Sequence, residues 1–158
     1  MNFDDTDRKI LDILQSNSNI TNAQLASEAG ISPSSMLERV RRLENAGVIT
    51  KYVALVDPEK VGIGTIALVS ISLTVHQLDS VDALTKSLNT MDEVLECYHI
   101  AGEEDFLLKV AVPDMRKYQD FVLNKLSKIH SINRIKTAFV LSTVKNQTKI
   151  AIPELKKD

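Results

Sequence analysis

Cysteine occurs once in the 158 residues of this chain, at Cys97. A single thiol excludes an internal disulfide framework and leaves no set of Cys ligands for a zinc site. Long apolar runs are also missing. The most apolar stretch, Thr65 to Val75, is interrupted by Ser70, Ser72 and Thr74 and falls short of the roughly 18 to 20 apolar residues that a membrane helix requires. No membrane partner is expected. Neither charge sign dominates, since 19 Lys and Arg stand against 21 Asp and Glu for a net charge of −2. With 44% hydrophobic and 25% charged residues the composition is that of a globular protein, which excludes disordered and fibrous classes. The length allows one domain or two small ones and excludes a large multidomain enzyme. The start, Met1-Asn2-Phe3-Asp4-Asp5, is acidic where a secretory signal would be basic and then apolar. A cytoplasmic protein is expected.

A near-neutral chain is not an obvious partner for nucleic acid, because phosphate binding draws on Lys and Arg. The distribution of charge alters that reading. Of the bases in residues 1–62, Arg39, Arg41 and Arg42 fall within four consecutive positions, so positive charge is concentrated locally.

Glycine and proline are few, five and four, and they act as punctuation. Pro58, Gly62 and Gly64 cluster in one connection, which predicts domains at 1–56 and 65–158 with a linker at 57–64. Before the linker the pattern is helical. Asp4 and Asp7 suit a helix start, and Ile10, Leu11 and Leu14 make its apolar stripe. Thr21-Asn22-Ala23-Gln24 fits a capping box for a helix over 22–29, with Leu25, Ala26 and Ala29 on the buried face. Ser32 and Pro33 suit the cap and first position of a third helix over 33–46, with Met36, Leu37, Val40 and Leu43 at helical spacing and Gly47 closing it. A tight Gly-containing turn between the second and third helices predicts a helix-turn-helix.

After the linker the period falls to two, with Ala67, Val69, Ile71, Leu73 and Val75 along one strand face. A helix carrying Val81, Leu84 and Leu88 follows, capped by Ser80. Strands over Glu93 to Ala101 and Asp105 to Val112 flank Gly102-Glu103-Glu104. Asp114 caps a helix with Met115, Tyr118, Phe121, Val122, Leu126 and Ile129, and Ile132 to Lys145 reads as a last strand. Strand, helix, strand, strand, helix, strand is the ferredoxin-like pattern, so the fold class is α+β. Helices on one sheet face leave the other open. Ile66, Leu68, Val94, Tyr98 and Ile100 are expected there, opposite Leu95 and Cys97, which predicts dimerisation through the sheet.

Two constellations carry chemistry. On the third helix an inward Met36, Val40 and Leu43 turns Ser34, Ser35, Glu38 and Arg42 outward, with Arg39 and Arg41 on the flanks. In a helix-turn-helix these residues would meet DNA, Ser34, Ser35, Glu38 and Arg39 at base edges and Arg41 and Arg42 at phosphates. The same residues would also suit a solvated face held by a Glu38–Arg42 pair. The second constellation is Gly102-Glu103-Glu104-Asp105 beside His99, which could hold an ammonium group or form an ordinary solvated turn. Metal binding is not expected, because His76, His99 and His130 lack ligand spacing. Cys97 reads as a small core residue. Neither a phosphate-binding glycine loop nor a nucleophile motif is present, so no catalytic residues and no cofactor are expected.

As a set these residues resemble the Lrp/AsnC, or feast/famine, family of transcription regulators. The likeness runs through Asp4, Asp7 and Ile10-Leu11, Asn22 to Ala26, Gly30 to Ser34, Arg39 to Glu44, Gly47 to Ile49, Asp57-Pro58, Gly62, Gly102, Asp105 to Val110 and Thr137. The resemblance implies an N-terminal (winged-helix-like) domain that binds double-stranded DNA. It further implies a ferredoxin-like domain that dimerises and binds a small amino acid between dimers, with assembly to octamers or similar rings. His99 and the 101–105 loop match the family's effector site. Asp105 or Glu104 would then accept the ligand's ammonium group, while backbone N–H groups of Ala101 to Glu103 bind its carboxylate. An effector-independent architectural DNA-binding protein is the alternative, followed by a metabolic subunit with a vestigial helix-turn-helix.

Overall fold

The computed structural model describes residues 3–74 and 78–153, and they form two compact units. The first contains the three predicted helices, each set by its cap. Asp4 accepts the Asp7 N–H at 2.8 Å and Asp7 accepts the Asp4 N–H at 3.2 Å, a reciprocal box that opens α1, Asp5–Ser16. Thr21 and Gln24 form the expected box before α2, Asn22–Ala29. That helix ends at Gly30, whose φ of 78° lies in the left-handed region that glycine enters without a Cβ penalty. Ser32 Oγ accepts the Ser35 N–H and Pro33 takes the first position of α3, Pro33–Asn45. Ile10, Leu11, Leu25, Ala26, Met36 and Leu43 bury the facing stripes in one core.

One expectation for the chain's end is overturned. The last strand, β4, is Ile132–Phe139 and does not reach Lys145. Described residues from Lys145 group with the helical unit. Hydrogen bonds to α1 hold them there. The Gln15 amide accepts the Ile150 N–H at 2.7 Å and donates to the Ile150 carbonyl at 3.1 Å, as a neighbouring strand would. Lys149 Nζ lies 2.6 Å from Asp12, and Ile152 packs on the helical core. Residues 51–57 carry neither helix nor strand.

The second unit has the expected order. β1 (Thr65–Leu73), α4 (Leu78–Leu88), β2 (Val94–His99), β3 (Phe106–Val112), α5 (Met115–Asn124) and β4 make an antiparallel sheet ordered β2-β3-β1-β4. Asp114 accepts the Lys117 N–H at 2.8 Å and so caps α5 as predicted. Ser80 lies within the first turn of α4 and is not its cap. Val75 and His76 lie outside the described residues, as do residues 154–158. Ala67, Val69, Ile71, Phe106, Leu108 and Val110 line one sheet face and meet Leu84 and Leu88 from α4 and Tyr118 and Phe121 from α5.

On the other face Leu68 is 40% and Tyr98 52% exposed. Val94 is not there. A register shift between Val94 and Glu96 lets Val94 pair with Val110 and Cys97 with Leu108, so both pack on the core, and Leu95 is left exposed. A bulge inserts one residue and reverses the alternation on which the expectation rested. Among the described residues no helix is long and apolar enough to cross a membrane.

Candidate functional site

Along α3 the core positions Met36 and Leu43 fix which residues turn outward. Ser34, Glu38 and Arg41 are exposed as expected, and with Leu37, Arg42, Asn45 and Ala46 they line a shallow groove on the helix. Ser35 is half-buried, its backbone N–H donated to Ser32 Oγ.

The other two arginines of α3 carry ion pairs to α1. Arg39 turns toward α1, with Nη1 2.7 Å from Asp4 Oδ2 and 2.8 Å from Asp7 Oδ1. Arg42 places Nη2 2.5 Å from the other oxygen of Asp7, a cross-helix pair in place of the Glu38–Arg42 pair of the alternative, solvated-face reading. Asp7 is only 1% exposed, and a buried carboxylate requires cationic partners that a surface acid does not. The Asp7 N–H and then Arg39 hold the Asp4 carboxyl below its ordinary value. Arg39 is raised in turn by its hydrogen bonds to Asp4 and Asp7. One signal in the sequence could have revealed this cluster: Asp7 lies on the same helical stripe as Ile10, Leu11 and Leu14, where an acid needs a partner.

The loop between β2 and β3 is anchored at both ends. Ile100 donates its N–H to the Asp105 carbonyl and Asp105 donates its own to Ile71, both at 2.9 Å. The Asp105 carboxylate accepts the Leu73 N–H at 2.7 Å. Glu104 is partly buried. It accepts the Ser72 hydroxyl and lies 2.6 Å from Lys136 and 3.1 Å from Arg134. Hydrogen bonds from Lys136 and then Ser72 lower its carboxyl to about 2. Two basic residues that the sequence reading did not include therefore belong to this loop's surroundings. Strand register brings them there, since Ser72 pairs with Arg134 and Ser70 with Lys136.

The rest of the loop is open. Ala101, Gly102 and Glu103 are exposed, and the N–H groups of residues 101–104 have no partner among the described residues. A Cβ at Gly102 would meet nothing within 4 Å, and its φ is not in the left-handed region. His99 stacks on Phe106 with ring centroids 4.8 Å apart. Among the described residues no group of three or more His, Cys, Asp or Glu could hold a metal ion. Cys97 is half-buried, and burial raises its thiol pKa.

Residues 3–50 match the family profile described as winged helix-turn-helix DNA-binding, and residues 66–150 match the one described as Lrp/AsnC ligand binding domain. Together with the two units they define a DNA-binding transcriptional regulator with an amino-acid-binding domain. The chain belongs to the Lrp/AsnC family, whose members are regulators and not enzymes. It is 34% identical over 153 residues to the transcriptional regulator AzlB of Bacillus subtilis (strain 168), covering 97% of this chain and 98% of that one. It is likewise 34% identical to the leucine-responsive regulatory protein of Escherichia coli (strain K12), over 95% of this chain and 92% of the relative. Among solved structures, a transcriptional regulator from Neisseria meningitidis in complex with L-Met superposes with a TM-score of 0.90 at 36% identity, over 94% of this chain and 96% of the other.

Proposed function

We propose that this regulator responds to a small amino acid bound at the 99–105 loop, and that binding alters its assembly or its affinity for DNA. The observation that carries the reading is the loop itself. Residues 101–104 present a run of N–H groups without partners among the described residues, suited to a carboxylate. Gly102 has neither a backbone conformation nor a neighbour among the described residues that calls for glycine, so space for a ligand is a sufficient reason for it. Glu103, exposed beside these donors, joins Asp105 as an acceptor for the ammonium group, Glu104 being held by Ser72, Arg134 and Lys136. The L-Met complex of the Neisseria relative supports an amino acid as the ligand class.

In the helical unit, α3 serves as the recognition helix, entering the major groove with Ser34, Ser35, Glu38 and Arg41 toward DNA. Two recognition helices require a dimer. The open sheet face supplies its apolar surface, and higher rings up to an octamer follow from pairing of such dimers. A cytoplasmic location suits a DNA-binding regulator.

A thermal-shift screen of the twenty amino acids, followed by calorimetric titration of the best stabiliser, tests the effector site. Gly102→Val should melt within about 2 °C of wild type, since the added side chain enters open space, and should weaken the amino acid at least tenfold. Equal affinities would remove the loop from the site. A wild type stabilised by no amino acid would favour the architectural alternative.

A further inference from the structure

The three arginines of α3 differ in what they touch. Arg39 and Arg42 both reach the buried Asp7, one guanidinium on each carboxylate oxygen, and Arg39 also reaches Asp4. Arg41 is exposed and has no ion-pair partner among the described residues. It shares the outward stripe with Ser34, Glu38 and Asn45, spaced by four, three and four residues, and all of them line the groove on that face. Asp7 is buried and shared by both Arg39 and Arg42, so either arginine that left it for a phosphate would leave one oxygen of a buried carboxylate without its cationic partner.

From this geometry we infer that Asp7 is a positioning residue for DNA recognition. Its buried carboxylate commits Arg39 and Arg42 to holding α3 against α1, so that Arg41 is the arginine that α3 presents to DNA. The inference rests on α3 being the recognition helix and assigns its arginines different work. The capping box that starts α1 thereby also sets the face of α3. Arg39 and Arg42, expected from the sequence at a base edge and a phosphate, become supports of the α1–α3 packing, Arg42 from the exposed rim of the same groove.

The salt dependence of DNA binding separates these roles, because each phosphate contact adds about one unit to the magnitude of the slope of log affinity against log salt. The full-length protein is titrated by fluorescence anisotropy against a random-sequence duplex pool over a salt series. Arg41→Ala should reduce the slope by about one, whereas Arg39→Ala and Arg42→Ala should leave it unchanged. Asp7→Asn, which frees Arg42 and leaves Arg39 held by Asp4 alone, should increase the slope by about one. Loss of helix packing alone would lower affinity without steepening the slope, so this increase is specific to released cations. If Asp7→Asn does not fold, the three arginine variants decide the matter. A slope reduced by about one in Arg39→Ala or Arg42→Ala, or an unchanged slope in folded Asp7→Asn, overturns the inference alone. A wild type without salt-dependent affinity for the pool overturns the reading of α3 and the inference with it.

Discussion

Glu104 illustrates how one side chain can be both acidic and unavailable. Ser72, Lys136 and Arg134 surround its carboxylate, and the carboxyl is lowered from 4.5 to about 2, first by Lys136 and then by Ser72. A group whose folded pKa lies below its unfolded value stabilises fully above the unfolded pKa and loses that contribution as pH falls toward the folded one. The relevant window is therefore pH 4.5 down to about 2. Glu104→Gln should melt below wild type at neutral pH, and the gap should close across this window. A gap that stays constant from pH 5 to pH 2 in calorimetric scans would show that the carboxylate is not engaged in this way. At this scale the sequence was partly legible. The acids of the loop were evident from composition, but which of them are satisfied within the chain depends on strand pairing with β1 and β4, and no local pattern encodes that.

Among the elements, helices were easier to read than strands for a physical reason. Each helix of the first unit carries its own start signal, as in the Thr21–Gln24 box or Ser32 before Pro33, and these act over three or four residues. Strands have only alternation, and a single inserted residue reverses it. That is why Val94, expected on the open face, packs inward. The end of β4 was likewise hidden, because what draws the following chain away is Gln15, 135 residues from its partner Ile150. The open sheet face survives these corrections, with Leu68 at the centre of the sheet and Tyr98 on its edge both exposed. Burying such a patch between two copies would remove apolar surface from water at about 25 cal/mol per Å². Leu68→Lys should leave the melting temperature of the isolated subunit nearly unchanged, because the side chain points away from the core. It should also lower the mass seen by light scattering at micromolar concentration. An unchanged mass would place the dimer interface elsewhere.

For the whole molecule, the chain joins a unit built to present a helix and a unit built to present a loop, and regulation requires that the state of one affects the other. Coupling between two binding events is a free energy, typically 1 to 3 kcal/mol, and appears as a change of about five- to 150-fold in the affinity of one ligand when the other is bound. The most direct test is the affinity for a duplex enriched by repeated binding to the wild-type protein, measured with and without a saturating amino acid chosen by thermal shift. Wild type should change by at least about fivefold in either direction, and Gly102→Val by none at the same amino-acid concentration. Unchanged duplex affinity and unchanged assembly in wild type, with the amino acid demonstrably bound, would contradict coupling between the loop and the recognition helix.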